Sequence, residues 1–241
     1  MNRKTISSHE SDLPAGAKFH EGIAAGWAQG YTGGSFGRRR ACFRALLDRN
    51  VEPGKAWLDL GCGSGVLTSE LLVRGATVVA VDGSPGMLRE AQAGLVGEHG
   101  SVVTWLQSDV QSLPQLPEAG FDGVLCSSVL EYLEHPDAAL REATRLLRPR
   151  GKLIVSVPPT GSVVRMAQKV VRSVSRLFGG NKFPYLAVSI FEVDPKHLRQ
   201  WLSDAGFELD RVTGFDSLLP RSSLAFLRPA LLIAEAHKKS D

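Results

Sequence analysis

The sequence predicts a doubly wound α/β fold, with seven strands in one sheet and helices on both faces. Three observations carry this expectation. Short apolar runs alternate with amphipathic stretches along most of the chain, the pattern of strands joined by crossover helices. The glycine-rich turn Gly61-Cys62-Gly63-Ser64-Gly65 directly follows the first of those runs. The second run, Thr77-Val78-Val79-Ala80-Val81, ends in the carboxylate Asp82.

The elements follow in order. Residues 1–18 are polar and read as a flexible tail, and residues 19–241 read as one domain. Residues 19–30 and 36–50 read as two helices parted by Thr32-Gly33-Gly34, so that 19–52 forms a lid ahead of the first strand. Strands are expected at 57–60, 77–82, 102–109, 121–127 and 152–157. A helix at 66–74 stops at Gly75, a C-terminal glycine. Ser84 is a natural N-cap with Pro85 at the first helical position, which opens a helix through 96. A further helix spans 136–147, and Asp194-Pro195 starts another that Gly206 closes. Strands at 207–215 and 231–236 complete the sheet. Between the fifth strand and Asp194, residues 161–193 form an insertion.

Composition sets the class. The chain has 241 residues, 43% hydrophobic and 22% charged, enough for a sizeable core in an ordinary globular protein. Its three cysteines, Cys42, Cys62 and Cys126, form no Cys-x-x-Cys or Cys/His cluster, so neither a disulfide framework nor a metal is expected. The N-terminus lacks an apolar signal core, and no run approaches 18 uninterrupted apolar residues. A cytoplasmic protein is expected. A net charge of +3 leaves little footprint for nucleic acid, which is not an expected partner.

A strand, a glycine turn, a helix and a second strand tipped with an acid form half of a nucleotide-binding unit. The acid at the tip of the second strand is placed to accept hydrogen bonds from ribose hydroxyls. Dinucleotide binders use Gly-x-Gly-x-x-Gly, whereas here the pattern is Gly61-x-Gly63-x-Gly65 and Val66 takes the third glycine's place. The stretch Leu58-Asp59-Leu60-Gly61-Cys62-Gly63-Ser64-Gly65, followed by Val78-Val79-Ala80-Val81-Asp82-Gly83-Ser84, resembles the first two motifs of the class I S-adenosylmethionine-dependent methyltransferases. The likeness continues in Leu106-Gln107-Ser108-Asp109-Val110, in Phe121-Asp122-Gly123-Val124-Leu125-Cys126-Ser127-Ser128, and in the turn Leu147-Arg148-Pro149-Arg150-Gly151-Lys152. It covers residues 50–160 closely and 194–237 more loosely.

The resemblance implies a Rossmann-like sheet whose last strand runs antiparallel, and S-adenosyl-L-methionine as cofactor. Asp59 would lie near the methionine amine, Asp82 at the ribose, and Asp109 at the adenine amino group with the Val110 N–H on a ring nitrogen. Gly61, Cys62, Gly63 and Gly65 would surround the carboxypropyl chain. Gly83, Met87 and Ser127 complete the expected cofactor set. The activity implied is methyl transfer to a small or lipophilic acceptor, most simply at a hydroxyl oxygen. The alternatives are N- or C-methylation of a small molecule or of tRNA, or a non-catalytic relative that keeps the cofactor.

For a proton acceptor, His135 in Glu131-Tyr132-Leu133-Glu134-His135-Pro136 is the first candidate, because imidazole titrates near neutrality. The competing reading is a solvated loop histidine ahead of a helix. Glu131 is the second candidate, or else the partner of an arginine. Many relatives carry Glu-His where this chain has Glu131-Tyr132, so no catalytic role transfers directly. In the lid, Trp27 and Tyr31 could flank the sulfonium or simply fill space.

In the insertion, Arg165, Lys169, Arg172 and Arg176 share one helical face amid valines, and no acid occurs between Glu142 and Glu192. Such a helix at 162–178 reads as a membrane-surface element or as a cap whose basic face is solvated. The expected partners are thus a small-molecule or lipid-like acceptor and, through this helix, a membrane periphery. Motifs of base-methylating enzymes are missing: Cys126-Ser127-Ser128 stands at the fourth strand's end, and there is no Pro-Cys pair.

Overall fold

The computed structural model describes residues 13–95, 103–216 and 228–240. Seven strands form one sheet: β1 (Ala56–Leu60), β2 (Thr77–Asp82), β3 (Val103–Gln107), β4 (Phe121–Ser127), β5 (Leu147–Val157), β6 (Phe207–Phe215) and β7 (Leu231–Lys238). Their spatial order is β3-β2-β1-β4-β5-β7-β6. Strands β1 to β5 are parallel, and β7 runs antiparallel to both of its neighbours, as the family resemblance implies. The chain builds outward from β1 to β3, then crosses back to place β4 on the other side of β1. That reversal opens a crevice at the carboxyl ends of β1 and β4, the usual ligand position in such sheets.

Both faces of the sheet are covered, which is why its strands read as nearly continuous apolar runs. Helices α2 (Gly34–Asn50), α3 (Val66–Val73) and α4 (Pro85–Gly94) lie on one face, burying Phe43, Leu71 and Leu88 against Trp57, Ala80 and Ile154. Helices α5 (Pro136–Leu146) and α7 (Leu198–Asp204) cover the other, with Leu140, Ala143 and Leu202 against Leu58, Val124 and Val155. Trp57 is 1% exposed, and its register partner on β4 is Gly123. A Cβ at Gly123 would sit 2.4 Å from the indole, so the glycine makes the space the tryptophan fills.

Several boundaries differ from the sequence expectation. Helix α1 (Ala15–Glu21) begins inside the stretch expected as a tail, whose first twelve residues lie outside those described. The helix expected over 19–30 is interrupted, because Gly26 adopts a left-handed φ of 74° and Trp27–Thr32 form a 3-10 turn. Residues 96 and 102, expected to end α4 and to start β3, also lie outside the described residues. Strand β5 begins at Leu147, before the Pro149–Gly151 stretch, because Leu147 already pairs with Phe121; pairing then resumes at Gly123 with Lys152 across a bulge. Helix α7 starts at Leu198, since Asp194 Oδ1 accepts the Lys196 N–H (3.0 Å) and holds a turn first.

The insertion leaves and rejoins the sheet at one place. The Thr160 N–H donates to Val193 O (2.8 Å) and the Val193 N–H to Pro158 O (3.0 Å). Between these ends runs α6 (Val163–Leu177), capped by Ser162 Oγ on the Arg165 N–H, followed by a 3-10 turn at Pro184–Ala187. Its orientation corrects the sequence reading. Arg165 is buried at 5% exposure, whereas Leu177 and Phe178 are 82% and 85% exposed. The first of the four basic residues is thus buried, while most of the helix's apolar residues, Val164 excepted, are exposed.

Replacing Gly123 with alanine should destabilise the protein by about 1–3 kcal/mol through overpacking against Trp57. Denaturant unfolding of the purified variant, with tryptophan emission as the signal, measures it.

Candidate active site

The site is built from the glycine turn outward. The Gly61 and Cys62 N–H groups both donate to Val81 O (2.8 and 2.9 Å), which ties the turn to the end of β2. The Gly63 N–H donates to Asp82 Oδ2 (2.8 Å), and the Ser84 N–H to Asp82 Oδ1 (2.9 Å). Each oxygen of Asp82 keeps a lone pair for a hydroxyl donor. Gly61 has φ 68°, and a Cβ there would collide with Val129 at 2.2 Å. At Gly63 (φ 53°), by contrast, a Cβ would project into open space within the crevice. The first glycine is required by packing and the second leaves backbone bare for a ligand.

Asp59 sits within β1 at 2% exposure and accepts one hydrogen bond from Thr68 Oγ1 (2.6 Å). Burial pushes its carboxyl up to about 7, despite the Thr68 hydrogen bond, and the nearby negative charge of Asp82 adds to the rise. Asp82 is raised as well, chiefly by burial, with the Ser84 and Gly63 amides opposing. A cationic ligand group beside these two acids would relieve both. Asp109 is exposed and accepts the Gln111 N–H on Oδ1 (2.9 Å), while Val110 beside it is buried.

The three acids, Gly61, Cys62, Gly63 and Val110 line one cavity of about 940 Å³, the upper end of the usual range for ligand pockets. Of the expected cofactor set, Asp59, Gly61, Cys62, Gly63, Asp82, Gly83, Met87, Asp109, Val110 and Ser127 all border it. Gly65 does not: it caps α3 at φ 75°, and a Cβ there would meet Ala91 of α4 at 2.9 Å. It is kept small by the close approach of α4 to the start of α3. Trp27, Tyr31 and Glu131 border the cavity too. His135 does not. It is the exposed residue ahead of α5, because Pro136 begins the helix and turns the histidine away from the crevice.

The sequence reading did not single out Arg39 or His20, and it placed Arg165 on a basic face directed to solvent or membrane. Arg39 of α2 donates from Nη2 to Ser127 Oγ (2.6 Å), and its buried Nε has no hydrogen-bond partner. His20 of α1 borders the cavity, with Nδ1 2.7 Å from Gly16 O and its ring edge-on to Tyr132 at 4.9 Å between centroids. Arg165 reaches in from the cap. None carries a local motif; each arrives from a distant element. Helix α1 is itself latched: Glu21 Oε2 accepts from Ser84 Oγ and the Gly86 N–H, both at 2.6 Å. Burial works to raise Glu21, but these hydrogen bonds and the Arg89 charge outweigh it and hold the carboxyl below its usual range.

The acids, the bare glycine backbone and the unpartnered guanidinium nitrogen together fit a nucleoside carrying an amino-acid tail. Relatives agree. A model of the methyltransferase domain matches residues 58–155. The ubiquinone biosynthesis O-methyltransferase of Xanthomonas axonopodis pv. citri (strain 306) is 31% identical over 170 residues, covering 70% of this chain and 69% of that protein. The chain belongs to the class I S-adenosylmethionine-dependent methyltransferases.

Solved structures share this methyltransferase's fold. The magnesium protoporphyrin IX methyltransferase of Synechocystis PCC 6803 with bound S-adenosylhomocysteine superposes with a TM-score of 0.67 at 24% identity, covering 92% of this chain and 96% of that one. The 1,6-didemethyltoxoflavin-N1-methyltransferase of Burkholderia thailandensis gives a TM-score of 0.61 at 22% identity, covering 92% and 88%. Among the described residues, no helix is long and apolar enough to cross a membrane, and no cluster of His, Cys, Asp and Glu could hold a metal ion.

The raised Asp59 carboxyl has a measurable consequence for the methyltransferase. The folded protein holds that proton more tightly than the unfolded chain, so its contribution to stability is present below the ordinary carboxylate range and lost as pH rises from about 4 to 7. Without ligand, the unfolding free energy of Asp59→Asn should fall less across that window than that of the wild type, as read by chemical denaturation at each pH.

Proposed function

We propose that the enzyme transfers a methyl group from S-adenosylmethionine to a hydroxyl oxygen of a small lipophilic acceptor. The observation that carries this reading is one cavity with two kinds of lining. Along the strand tips it offers acids and bare backbone; from the lid and cap it offers Trp27, Tyr31, Phe36, Phe183 and Tyr185. Asp82 is assigned to the ribose hydroxyls, and Asp109 with the Val110 N–H to the adenine edge. Asp59 is assigned to the methionine ammonium, with Arg39, beside Ser127, for the carboxylate. Cys62, Gly83 and Met87 line the stretch between them. When bound, S-adenosylmethionine supplies a methyl group on a positively charged sulfur, which needs an oxygen lone pair aligned behind it. The residues of the chain then position the acceptor and exclude water.

The acceptor class follows from the aromatic wall, which suits a flat ring with an apolar substituent. The names of the relatives support it: one acts in ubiquinone biosynthesis on oxygen, another on magnesium protoporphyrin IX. On the same reading the outer face of α6 meets a membrane surface that holds the acceptor. Val170, Leu177, Phe178 and Ile190 are 61–85% exposed there, while Arg176 and Lys182 are exposed nearby. Apolar side chains directed outward and flanked by cations suit an anionic bilayer.

Titration calorimetry should show S-adenosylmethionine binding to the purified protein, and Asp82→Ala should weaken it by about 10- to 100-fold, the cost of one or two lost charge-assisted hydrogen bonds. Absence of binding by the wild type at millimolar ligand would end this reading. Liposomes containing anionic lipid should sediment the wild type at low salt. The double variant Leu177→Asp, Phe178→Asp should remain in the supernatant while binding S-adenosylmethionine normally.

A further inference from the structure

Glu131 follows β4 by four residues, in the 3-10 turn Leu130–Tyr132, and is 3% exposed on the cavity wall. Its two carboxylate oxygens have different surroundings. Oε2 accepts from Ser189 Oγ (2.6 Å) and from Arg165 Nη1 (3.2 Å). Arg165 Nη2 also donates to Ser189 Oγ (2.6 Å), so the three side chains close a ring. Oε1 has no hydrogen-bond partner among the described residues. The main chain fixes the same residue, since the Ile190 N–H donates to Glu131 O (2.8 Å).

Both side chains that hold Oε2 belong to the cap. Arg165 is kept in place from its other side, with Nε 3.4 Å from Glu192 Oε1, and Lys169 Nζ meets that same oxygen at 2.7 Å. A carboxylate on a cavity wall, with one oxygen anchored by two donors and the other without a partner, is oriented for a single hydrogen bond. Burying such a group beside an apolar chamber is costly unless a donor meets it. A hydroxyl acceptor carries that donor.

We propose that Glu131 Oε1 receives the hydrogen bond and then the proton of the acceptor's hydroxyl, and that Arg165 and Ser189 are positioning residues for it. This rests on the hydroxyl-acceptor reading above. As the hydroxyl oxygen forms its bond to the methyl carbon, its proton passes to Oε1 and the electron pair of the broken carbon–sulfur bond stays with sulfur. The products are a methyl ether, a neutral thioether and a protonated carboxyl. His20 also borders the cavity, its Nδ1 2.7 Å from Gly16 O, but it comes from the lid helix α1 rather than from the turn after β4 that carries Glu131.

The test combines turnover with a binding signal. Release of S-adenosylhomocysteine is measured over a panel of alkyl- and prenyl-substituted phenols and catechols. Glu131→Gln keeps the shape and should lower kcat about 100-fold, the usual scale for loss of a proton acceptor, with S-adenosylmethionine affinity within twofold of wild type. Ser189→Ala and Arg165→Lys should each lower kcat several-fold, again with cofactor affinity preserved. Independently, 4-nitrophenol is bound to wild type and Glu131→Gln, and its visible phenolate absorbance is read at one pH. The fraction ionised should be lower on wild type, where a carboxylate faces the phenol oxygen. No turnover by wild type on any phenol overturns the hydroxyl-acceptor reading. Full turnover by Glu131→Gln, or identical nitrophenol absorbance on the two proteins, overturns the role of Glu131 alone.

Discussion

The junction between the glycine turn and the end of β2 is the constraint on which the site depends. Three consecutive amides, from Gly61, Cys62 and Gly63, are spent on Val81 O and Asp82 Oδ2. That arrangement needs the left-handed backbone of Gly61 and Gly63, because a side chain at the first would overlap Val129. Once the turn is held, Asp82 is fixed at the strand tip and α3 begins at its proper angle. Thr68 on α3 then reaches Asp59 one strand away. A buried acid, Asp59, and a half-buried one, Asp82, are thus brought together by backbone geometry rather than by a pairing of their own. Burial leaves both reluctant to ionise, which makes them receptive to a cation.

The sheet was legible in the sequence because both faces are buried, so every strand reads as an apolar run with turn residues at its ends. Strands β2, β4 and β6 begin and end where the pattern places them. Errors fell where the backbone departs from regular rules: at Gly26, which breaks the lid helix, and at Leu147, which joins β5 ahead of a proline. The strand-tip edge of the cavity was legible for a similar reason. Its acids and glycines sit at fixed offsets within one supersecondary unit.

The lid and cap side of the cavity was much less so. His135 satisfied the chemical requirement but not the spatial one, since chain proximity to a strand tip says nothing about which way a helix cap faces. Arg39, His20 and Arg165 come from three separate elements, α2, α1 and α6, and only the assembled fold unites them. The cap illustrates the limit most plainly. Period and composition revealed an amphipathic helix in 162–178, yet amphipathicity alone does not say which face is inward. A buried ion pair decided it: Arg165 meets Glu131 and Glu192, Val164 is buried beside it, and Val163, Val170, Val171 and Val174 are left outside.

The hydrogen bonds between Pro158, Thr160 and Val193 close the excursion that carries α6 into a loop with neighbouring ends. The sheet beneath is complete without it, because β5 continues to its antiparallel partner on its own side of that clasp. Such an architecture separates inheritance of the donor site from choice of acceptor. A cassette between these anchors can be lengthened, shortened or exchanged during evolution with little disturbance to the nucleoside edge, so closely related sheets can serve chemically unlike acceptors.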